Sequence, residues 1–167
     1  ALFLFCCLSF TLTGQTDQKP RSLFSDAEYY RLYEEYAEAA TLYQRLYNKG
    51  HDNAHIAYRI GECYLNIPGR KEDAIPYLEQ AVKNIDLNFR EGMYKETQAP
   101  AYSLFYLGEA YQVNNQLDTA LKTYQKFLDE VKDSTRYNMN FIKKQIQSCQ
   151  KAKDFMENPT HLDQKNC

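Results

Sequence analysis

The sequence contains no tryptophan and only six glycines and five prolines among its 167 residues. So little glycine and proline excludes a collagen-like chain and a Pro/Gly-rich low-complexity chain. An excess of positive charge is also absent: 20 Lys and Arg against 22 Asp and Glu give a net charge of −2, which argues against nucleic acid as the main partner. Hydrophobic residues make up 44% of the chain, and fifteen residues are tyrosine. We therefore expect one folded domain or a short repeat array with many half-buried aromatic surfaces.

The first fourteen residues contain no charged side chain. The apolar run at 2–12 is too short to span a membrane, and its length is typical of the hydrophobic region of a secretory signal peptide. We predict a signal peptide at 1–14 whose basic n-region is missing, cleavage after Gly14, and a linker at 15–22. The alternatives are a buried N-terminal helix and a lipoprotein anchor, although the residues before Cys6 are not the small ones that lipid modification needs.

The rest of the chain shows apolar residues at spacings of three and four, and it has no alternating run of useful length. This periodicity predicts an all-α protein. Gly, Asn and Pro residues interrupt the pattern and mark the connections. The predicted helices lie at about 23–33, 36–48, 53–66, 71–86, 100–114, 117–132 and 135–157.

Internal repetition is the strongest feature of the sequence. Residues 58–64 read Tyr-Arg-Ile-Gly-Glu-Cys-Tyr and recur at 105–111 as Phe-Tyr-Leu-Gly-Glu-Ala-Tyr. The segments that follow also match, at 72–78 and 117–124, and 36–43 is an earlier copy. The pattern resembles the tetratricopeptide repeat, a 34-residue helix-turn-helix with Leu-Gly-x-x-Tyr in its first helix and Ala-x-x-x-Tyr/Phe in its second. The resemblance implies an all-α solenoid of three repeats that ends in a capping helix.

Alignment on the small residue of the first helix gives Ala27, Gly61 and Gly108, with intervals of 61 − 27 = 34 and 108 − 61 = 47. The excess of 13 residues predicts an insertion at 88–100, whose Pro100 suits the first turn of the next helix. The predicted boundaries are a repeat domain at 23–157, with repeats at about 23–53, 54–87 and 101–134 and a cap helix at 135–157, followed by a polar tail at 158–167.

The resemblance implies that the repeated residues are packing positions and not a cofactor site. Small residues let the two helices of a repeat approach closely, and large residues fill the seams between helices. The predicted structural positions are Ala27, Ala39, Tyr43, Gly61, Tyr64, Ala74, Leu78, Gly108, Tyr111, Ala120 and Tyr124.

Patterns that could carry chemistry are weak. His51 and His55 lie four residues apart, but an aspartate stands between them where zinc proteases use glutamate, and Asn53 interrupts the helix that would orient both rings. Neither GxGxxG nor GxxxxGK[ST] occurs, and Cys63 and Cys149 have no CxxC partner. We therefore predict no enzyme activity, no metal site and no cofactor.

The resemblance also points to a binding surface. In stacked repeats the first helices line the concave face, so the second, fifth, sixth and ninth residues of each repeat point into a groove. Aromatic rings dominate these positions and favour a protein or peptide ligand, while an arginine among them can bind a carboxylate. The alternative is that residues 88–99 fold back over the strip. The predicted groove residues are His55, Tyr58, Arg59, Glu62, Tyr102, Phe105, Tyr106 and Glu109.

Together these features are similar to the N-terminal repeat segment of OmpA-like envelope proteins from Bacteroidota. The resemblance implies a non-catalytic protein-protein interaction scaffold of the cell envelope. It would be exported to the periplasm or the periplasmic side of the outer membrane, without direct membrane insertion once the signal is removed. The alternatives are an accessory segment of a larger envelope enzyme and a cytoplasmic co-chaperone-like repeat protein. Neither the partner nor the oligomeric state follows from the sequence.

Overall fold

The computed structural model describes residues 18–131 and 135–158. The predicted signal peptide, residues 15–17 of the predicted linker and residues 159–167 of the predicted polar tail lie outside the described residues. The described helices are α1 (Pro20–Leu32), α2 (Tyr36–Asn48), α3 (Ala54–Asn66), α4 (Ala74–Ala81), α5 (Tyr102–Val113), α6 (Leu117–Val131) and α7 (Met139–Glu157). A 3₁₀ turn at Lys71–Asp73 precedes α4, and two short strands, β1 (Ile85–Asp86) and β2 (Ala99–Pro100), pair in parallel between α4 and α5.

The helices pack in chain order as three hairpins. Helix α1 packs against α2, α3 against α4, and α5 against α6, while α2–α3 and α4–α5 contacts join successive hairpins. Helix α7 packs against α6 at the end of the array. The prediction of an all-α solenoid with three repeats and a terminal cap helix is therefore confirmed.

The seam inside each hairpin depends on a small residue in its first helix. A Cβ atom placed on Gly108 would lie 2.6 Å from the Tyr124 ring, and one on Gly61 would lie 2.7 Å from Cδ2 of Leu78. Both distances are shorter than carbon atoms tolerate, so only glycine allows these approaches. All eleven predicted structural positions are buried, and the free thiols of Cys63 and Cys149 are buried as well.

The ends of several predicted helices differ from the structure. Helix α1 begins at Pro20, inside the predicted linker, and α7 begins at Met139, four residues after the predicted start of the cap helix. The predicted helix at 71–86 begins as the 3₁₀ turn and ends at Ala81, because the Asn84 carbonyl accepts a hydrogen bond from the Ala99 amide at 2.9 Å as the chain turns into β1. Pro100 was expected in the first turn of the next helix, but it belongs to β2, and α5 starts at Tyr102. A two-residue strand is too short to show alternation, so periodicity could not predict the pairing of β1 with β2.

Candidate binding surface on the concave face

The predicted groove is closed over the second repeat. His55 and Arg59 are completely buried, Tyr58 is 3% exposed and Glu62 is 7% exposed. The insertion (88–100) covers these side chains, so the fold-back alternative describes this half of the surface. The expectation that the four α3 residues line an open groove is corrected, because a partner cannot reach them while the insertion is in place.

Aromatic contacts seat the insertion on α3. The Phe89 ring packs edge-on against His55, with a centroid distance of 5.0 Å, and against Tyr58 at 6.2 Å. Further along the insertion, Tyr94 lies 5.6 Å from the Phe24 ring of α1. Phe89 is itself 7% exposed, so burial of this ring contributes to holding the insertion against the helices.

His55 also holds the insertion through hydrogen bonds. Its Nδ1 lies 3.1 Å from the carbonyl oxygen of Glu96, and its amide donates to the Thr97 carbonyl at 3.3 Å. Because a carbonyl oxygen only accepts, Nδ1 carries the proton. Burial, with a contribution from the positive charge of Arg59, lowers the pKa of His55 to about 4. The imidazole is therefore neutral at pH 7.

Arg59 is the centre of a charge cluster, which also contains Arg31, Glu28, Glu62 and Glu91. Its guanidinium pairs with Glu62 at 2.9 Å, with Glu28 at 2.8 Å and with Glu91 of the insertion. Arg31 adds contacts to Glu28 at 3.0 Å and Glu62 at 3.4 Å. The cluster thus ties α1, α3 and the insertion together through one buried cation.

The pKa values in this cluster favour its charged form. Burial alone would raise the pKa of Glu28, but Arg59, a hydrogen bond from Tyr43 and Arg31 together hold it below its usual value. Burial likewise opposes the charge on Arg59, and the carboxylates of Glu62 and Glu28 outweigh it and raise the pKa of the guanidinium. The carboxylate of Glu28 and the guanidinium of Arg59 therefore stabilise each other's charged form.

Sequence reasoning selected Arg59 and Glu62 but missed Glu28, Arg31 and Glu91. A signal for Glu28 existed, because it precedes Glu62 by 62 − 28 = 34 residues, one full repeat. Both carboxylates therefore occupy equivalent positions on neighbouring first helices. Glu91 lies in the insertion, where the repeat period gives no guidance.

The concave face remains open beside the third repeat. A cleft of about 480 Å³ lies between the insertion, the start of α5 and the segment before α7. Arg136 donates to the Leu87 carbonyl at 2.8 Å and so joins two of these walls. We name it the tyrosine cleft, and its lining residues are Tyr58, Phe89, Glu91, Pro100, Tyr102, Arg136, Tyr137 and Asn138.

Four tyrosine rings form a row of successive contacts at the concave face, and three of them, Tyr58, Tyr102 and Tyr137, line this cleft. Tyr58 and Tyr106 are stacked at 5.9 Å, Tyr106 meets Tyr102 edge-on at 4.9 Å, and Tyr102 stacks with Tyr137 at 5.7 Å. Tyr102, Tyr106 and Tyr137 are half-buried. None of the four hydroxyl groups hydrogen-bonds to a residue in the described ranges. Because the insertion covers Tyr58, the accessible ring surface and unpaired hydroxyl groups of the row are those of Tyr102, Tyr106 and Tyr137.

The other two predicted groove residues of α5 have different environments. Phe105 is 2% exposed and packs against Tyr124 and Phe127, so it belongs to the core and the groove prediction for it is corrected. Glu109 is half-buried, and within 18–131 and 135–158 it has no hydrogen-bond or ion-pair partner. Burial raises its pKa, and the nearby charge of Lys71 partly opposes that effect.

The structure offers no arrangement suited to metal chemistry in the part of the chain that it describes, since no group of three or more His, Cys, Asp or Glu side chains is placed to hold an ion. His55 uses one ring nitrogen on the Glu96 carbonyl, and its Nε2 is enclosed without a partner. The two-histidine pattern therefore reflects packing of the insertion. Among the described helices, none is long and apolar enough to cross a membrane.

A comparison with known protein families matches two of the three described hairpins. Residues 57–84 and 102–134 match the family model of the tetratricopeptide repeat, and these segments coincide with α3–α4 and α5–α6. No curated protein matches the chain. Tetratricopeptide repeats support a role as a protein-protein interaction scaffold. The matched segments and the hairpin seams at Gly61 and Gly108 show a helical repeat solenoid in which two hairpins are similar to tetratricopeptide repeats.

Proposed function

We propose that this protein is a non-catalytic scaffold of the bacterial cell envelope and that it binds a peptide segment of a partner protein in the tyrosine cleft. The observation that carries the proposal is the row of half-buried tyrosine rings where the insertion leaves the concave face open. Tyrosine provides a large contact area with few rotatable bonds, and residues of this type dominate the energy of many interfaces.

The surroundings of the cleft support binding without rearrangement. The insertion forms one wall and is held by the buried charge cluster and by both hydrogen bonds at His55. The floor is α5, whose Phe105 is packed in the core. Because the wall and the floor of the cleft are already ordered, a ligand that binds there causes little loss of conformational entropy in the protein.

Peptide display tests the binding site directly. A library of random peptides of about twelve residues is selected on the protein, and the affinity of each selected peptide is measured for Tyr102→Ala and Tyr29→Ala. Tyr29 is the matched control because it is 56% exposed on α1 and does not line the cleft. We expect Tyr102→Ala to weaken binding about tenfold or more and Tyr29→Ala to leave it unchanged.

Tyr102 also packs against Phe127, so a folding defect has to be separated from lost contacts. Tyr137→Ala provides the second variant, and circular dichroism shows whether each variant keeps its helices. Peptides that bind both folded cleft variants as well as they bind the unchanged protein would refute the assignment of the site.

Export to the envelope is a separate part of the proposal and rests on the apolar start of the sequence. Cells that express the full reading frame are fractionated, and the N-terminus of the product is sequenced. A periplasmic product that begins at Gln15 is expected. An uncleaved product in the cytoplasm would favour the co-chaperone alternative, and a catalytic domain fused to the same product would favour the accessory-segment alternative.

A further inference from the structure

The two seams between successive hairpins contain equivalent hydrogen bonds. Between α2 and α3, the Gln44 side-chain amide donates to the hydroxyl oxygen of Tyr64. Between α4 and α5, the hydroxyl of Tyr111 donates to Glu79 at 2.6 Å. Both tyrosines stand three residues after the glycine of the first helix, and both partners stand five residues after the alanine of the second helix. The two seams are therefore built on one pattern.

Helix α1 carries the same tyrosine without a helix before it. Tyr30 stands three residues after Ala27, and its hydroxyl has no hydrogen-bond partner among residues 18–131 and 135–158. Tyr29 is 56% exposed, whereas Cys63 and Ala110, the equivalent residues of α3 and α5, are completely buried. The first hairpin therefore presents one half of a seam, and the described part of the chain does not supply the other half. We name this surface the end face.

A recess in the end face matches a side chain that a docked helix would insert. Between α2 and α3, the Tyr47 ring packs edge-on against Tyr77 of α4 at 5.6 Å, and its hydroxyl donates to Gln80. Leu42 stands three residues after the alanine of α2, as Tyr77 does in α4. Beside this smaller side chain the end face has a recess of about 330 Å³, enough for an aromatic ring. Its lining residues are Tyr30, Ala37, Glu38, Thr41 and Leu42.

Polar side chains of the end face fit the last turn of a docked helix. Gln80 also donates to the carbonyl oxygen of Asp52, just beyond the end of α2, at 2.7 Å. Arg45 stands six residues after the alanine of α2, as Gln80 does in α4. Its guanidinium can therefore donate to the last carbonyl groups of the docked helix, at the negative end of the helix dipole. Glu38 in the recess lining adds an acceptor to this donor.

Within 18–131 and 135–158, the chain has no uncovered helix of the required kind. Helices α2, α4 and α6 each pack already against the helix that follows. In α7, no glutamine or glutamate is followed three residues later by an aromatic or large apolar residue. A second copy of the chain therefore has no suitable helix to offer.

The apolar start of the sequence does not carry the pattern either. The alanine and the glutamine of α2 precede Gly61 by 61 − 39 = 22 and 61 − 44 = 17 residues. The same intervals counted back from Ala27 fall on Phe5 and Phe10. A large ring would replace the small residue of the seam, and no polar group would face the hydroxyl of Tyr30.

We infer that the end face is a second interaction surface, on which an amphipathic helix of another protein docks against α1 and α2 as α2 docks against α3 and α4. The docked helix carries a glutamine or glutamate for the Tyr30 hydroxyl and, three residues later, an aromatic side chain for the recess. It completes a seam that the array already uses twice. The inference goes beyond the proposed function, because the end face shares no lining residue with the tyrosine cleft.

A synthetic peptide with the sequence of residues 36–53 is the probe, because α2 fills the equivalent seam. Free helices of this length are marginally stable, so a side-chain cross-link between positions 37 and 41, both exposed in the folded chain, holds the peptide helical. Fluorescence anisotropy of the labelled peptide should give a dissociation constant of about 100 μM or lower. A control peptide with Gln44→Leu and Tyr47→Ala should bind about tenfold more weakly.

Variants of the protein assign the binding to the end face. Tyr30→Phe removes only the hydroxyl and should weaken the peptide about fivefold, and Leu42→Glu places a charge in the recess and should weaken it about tenfold or more. The matched controls are Tyr94→Phe and Leu87→Glu, because Tyr94 is half-buried, Leu87 is 51% exposed and neither lines the recess. Both should leave the affinity unchanged, and circular dichroism shows whether each variant is folded.

Several results would overturn the inference. These are absence of binding up to about 1 mM, or binding that Tyr30→Phe and Leu42→Glu leave unchanged in folded protein. Fluorine NMR shifts of labelled Tyr64 in place of Tyr30 would show that the peptide displaces α2 from its own seam.

Two further results would give the end face to another occupant. A dimer in sedimentation that Leu42→Glu dissociates would assign it to a second copy. Peptide binding by the product that begins at Gln15, but not by the chain that begins at Ala1, would assign it to the apolar start. The display experiment stays separate, because peptides of the tyrosine cleft lose affinity with Tyr102→Ala and a peptide of the end face does not.

Discussion

Replacing Arg59 by methionine tests how the insertion is held on the helices. The substitution keeps an unbranched, apolar side chain in the core and removes the cation that pairs with Glu28, Glu62 and Glu91. Glu28 and Glu62 would then share Arg31 alone, although their side chains are only 11% and 10% exposed. The Glu91 side chain is 61% exposed and would be hydrated, so losing its ion pair with Arg59 reduces the free energy of unfolding only slightly.

The expected decrease in the free energy of unfolding follows from the two buried carboxylates, Glu28 and Glu62. Breaking a buried pair by removing one partner costs about 3–5 kcal/mol, and the exposed pair with Glu91 adds at most about 1 kcal/mol. For a domain of this size we expect Arg59→Met to lower the melting temperature by about 10 °C. Urea unfolding followed by circular dichroism measures the free energy of unfolding, and hydrogen exchange at the His55 amide reports release of the insertion.

Two further variants make the test specific to the buried charges. Arg90→Met is the matched control, because Arg90 is exposed in the same insertion next to Phe89 and its loss should change the free energy of unfolding by less than about 0.5 kcal/mol. Adding Glu28→Gln to Arg59→Met should recover part of the loss, since it removes one unpaired carboxylate. If Arg59→Met remains helical and its free energy of unfolding lies within about 1 kcal/mol of that of the unchanged protein, the buried charge cluster does not hold the insertion as described.

Two other predictions concern packing and pH. Gly108→Leu should lower the free energy of unfolding by about 1–3 kcal/mol, because its Cβ would already lie 2.6 Å from the Tyr124 ring; an unchanged midpoint in a melting curve would contradict the seam. The pKa of His55 is about 4 in the folded chain, and its ordinary value is 6.5. As the pH falls, His55 therefore binds a proton in the unfolded chain before it does so in the folded chain. The free energy of unfolding should decrease by about 3 kcal/mol as the pH drops from about 6.5 to 4. The lowered pKa of Glu28 adds to this loss of stability when the pH falls below 4.5, the ordinary pKa of a glutamate. The urea midpoints measured from pH 7.5 to 4.5 should therefore decrease. Constant midpoints would show that these groups are not buried as described.

The repeat architecture could be predicted because its determinants are local and periodic. Gly61 and Gly108 stand in heptapeptides that share Gly, Glu and the final Tyr, and the close approach that each glycine allows occurs in both hairpins. The 13-residue excess falls between α4, which ends at Ala81, and α5, which begins at Tyr102. A pattern that repeats with a fixed period reports which side chains face a neighbouring helix.

The path of the insertion over the helices could not be predicted from the repeat period. Its contacts join Glu91 to Arg59 and Phe89 to His55, and the insertion that supplies Glu91 and Phe89 has no counterpart in the other two repeats. Sequence reasoning therefore left two alternatives, an open groove and a groove covered by the chain itself. Both are partly realised, because α3 is covered while Tyr102 and Tyr106 of α5 remain accessible.

Fluorine NMR of protein labelled with 3-fluorotyrosine tests the central claim most directly, with each resonance assigned by a Tyr→Phe variant. When a display-selected peptide is added, we predict that the resonances of Tyr102, Tyr106 and Tyr137 shift and that those of Tyr29 and Tyr33, both exposed near the other end of the array, do not. Shifts confined to Tyr29 and Tyr33 would contradict the claim that the tyrosine cleft is the binding site.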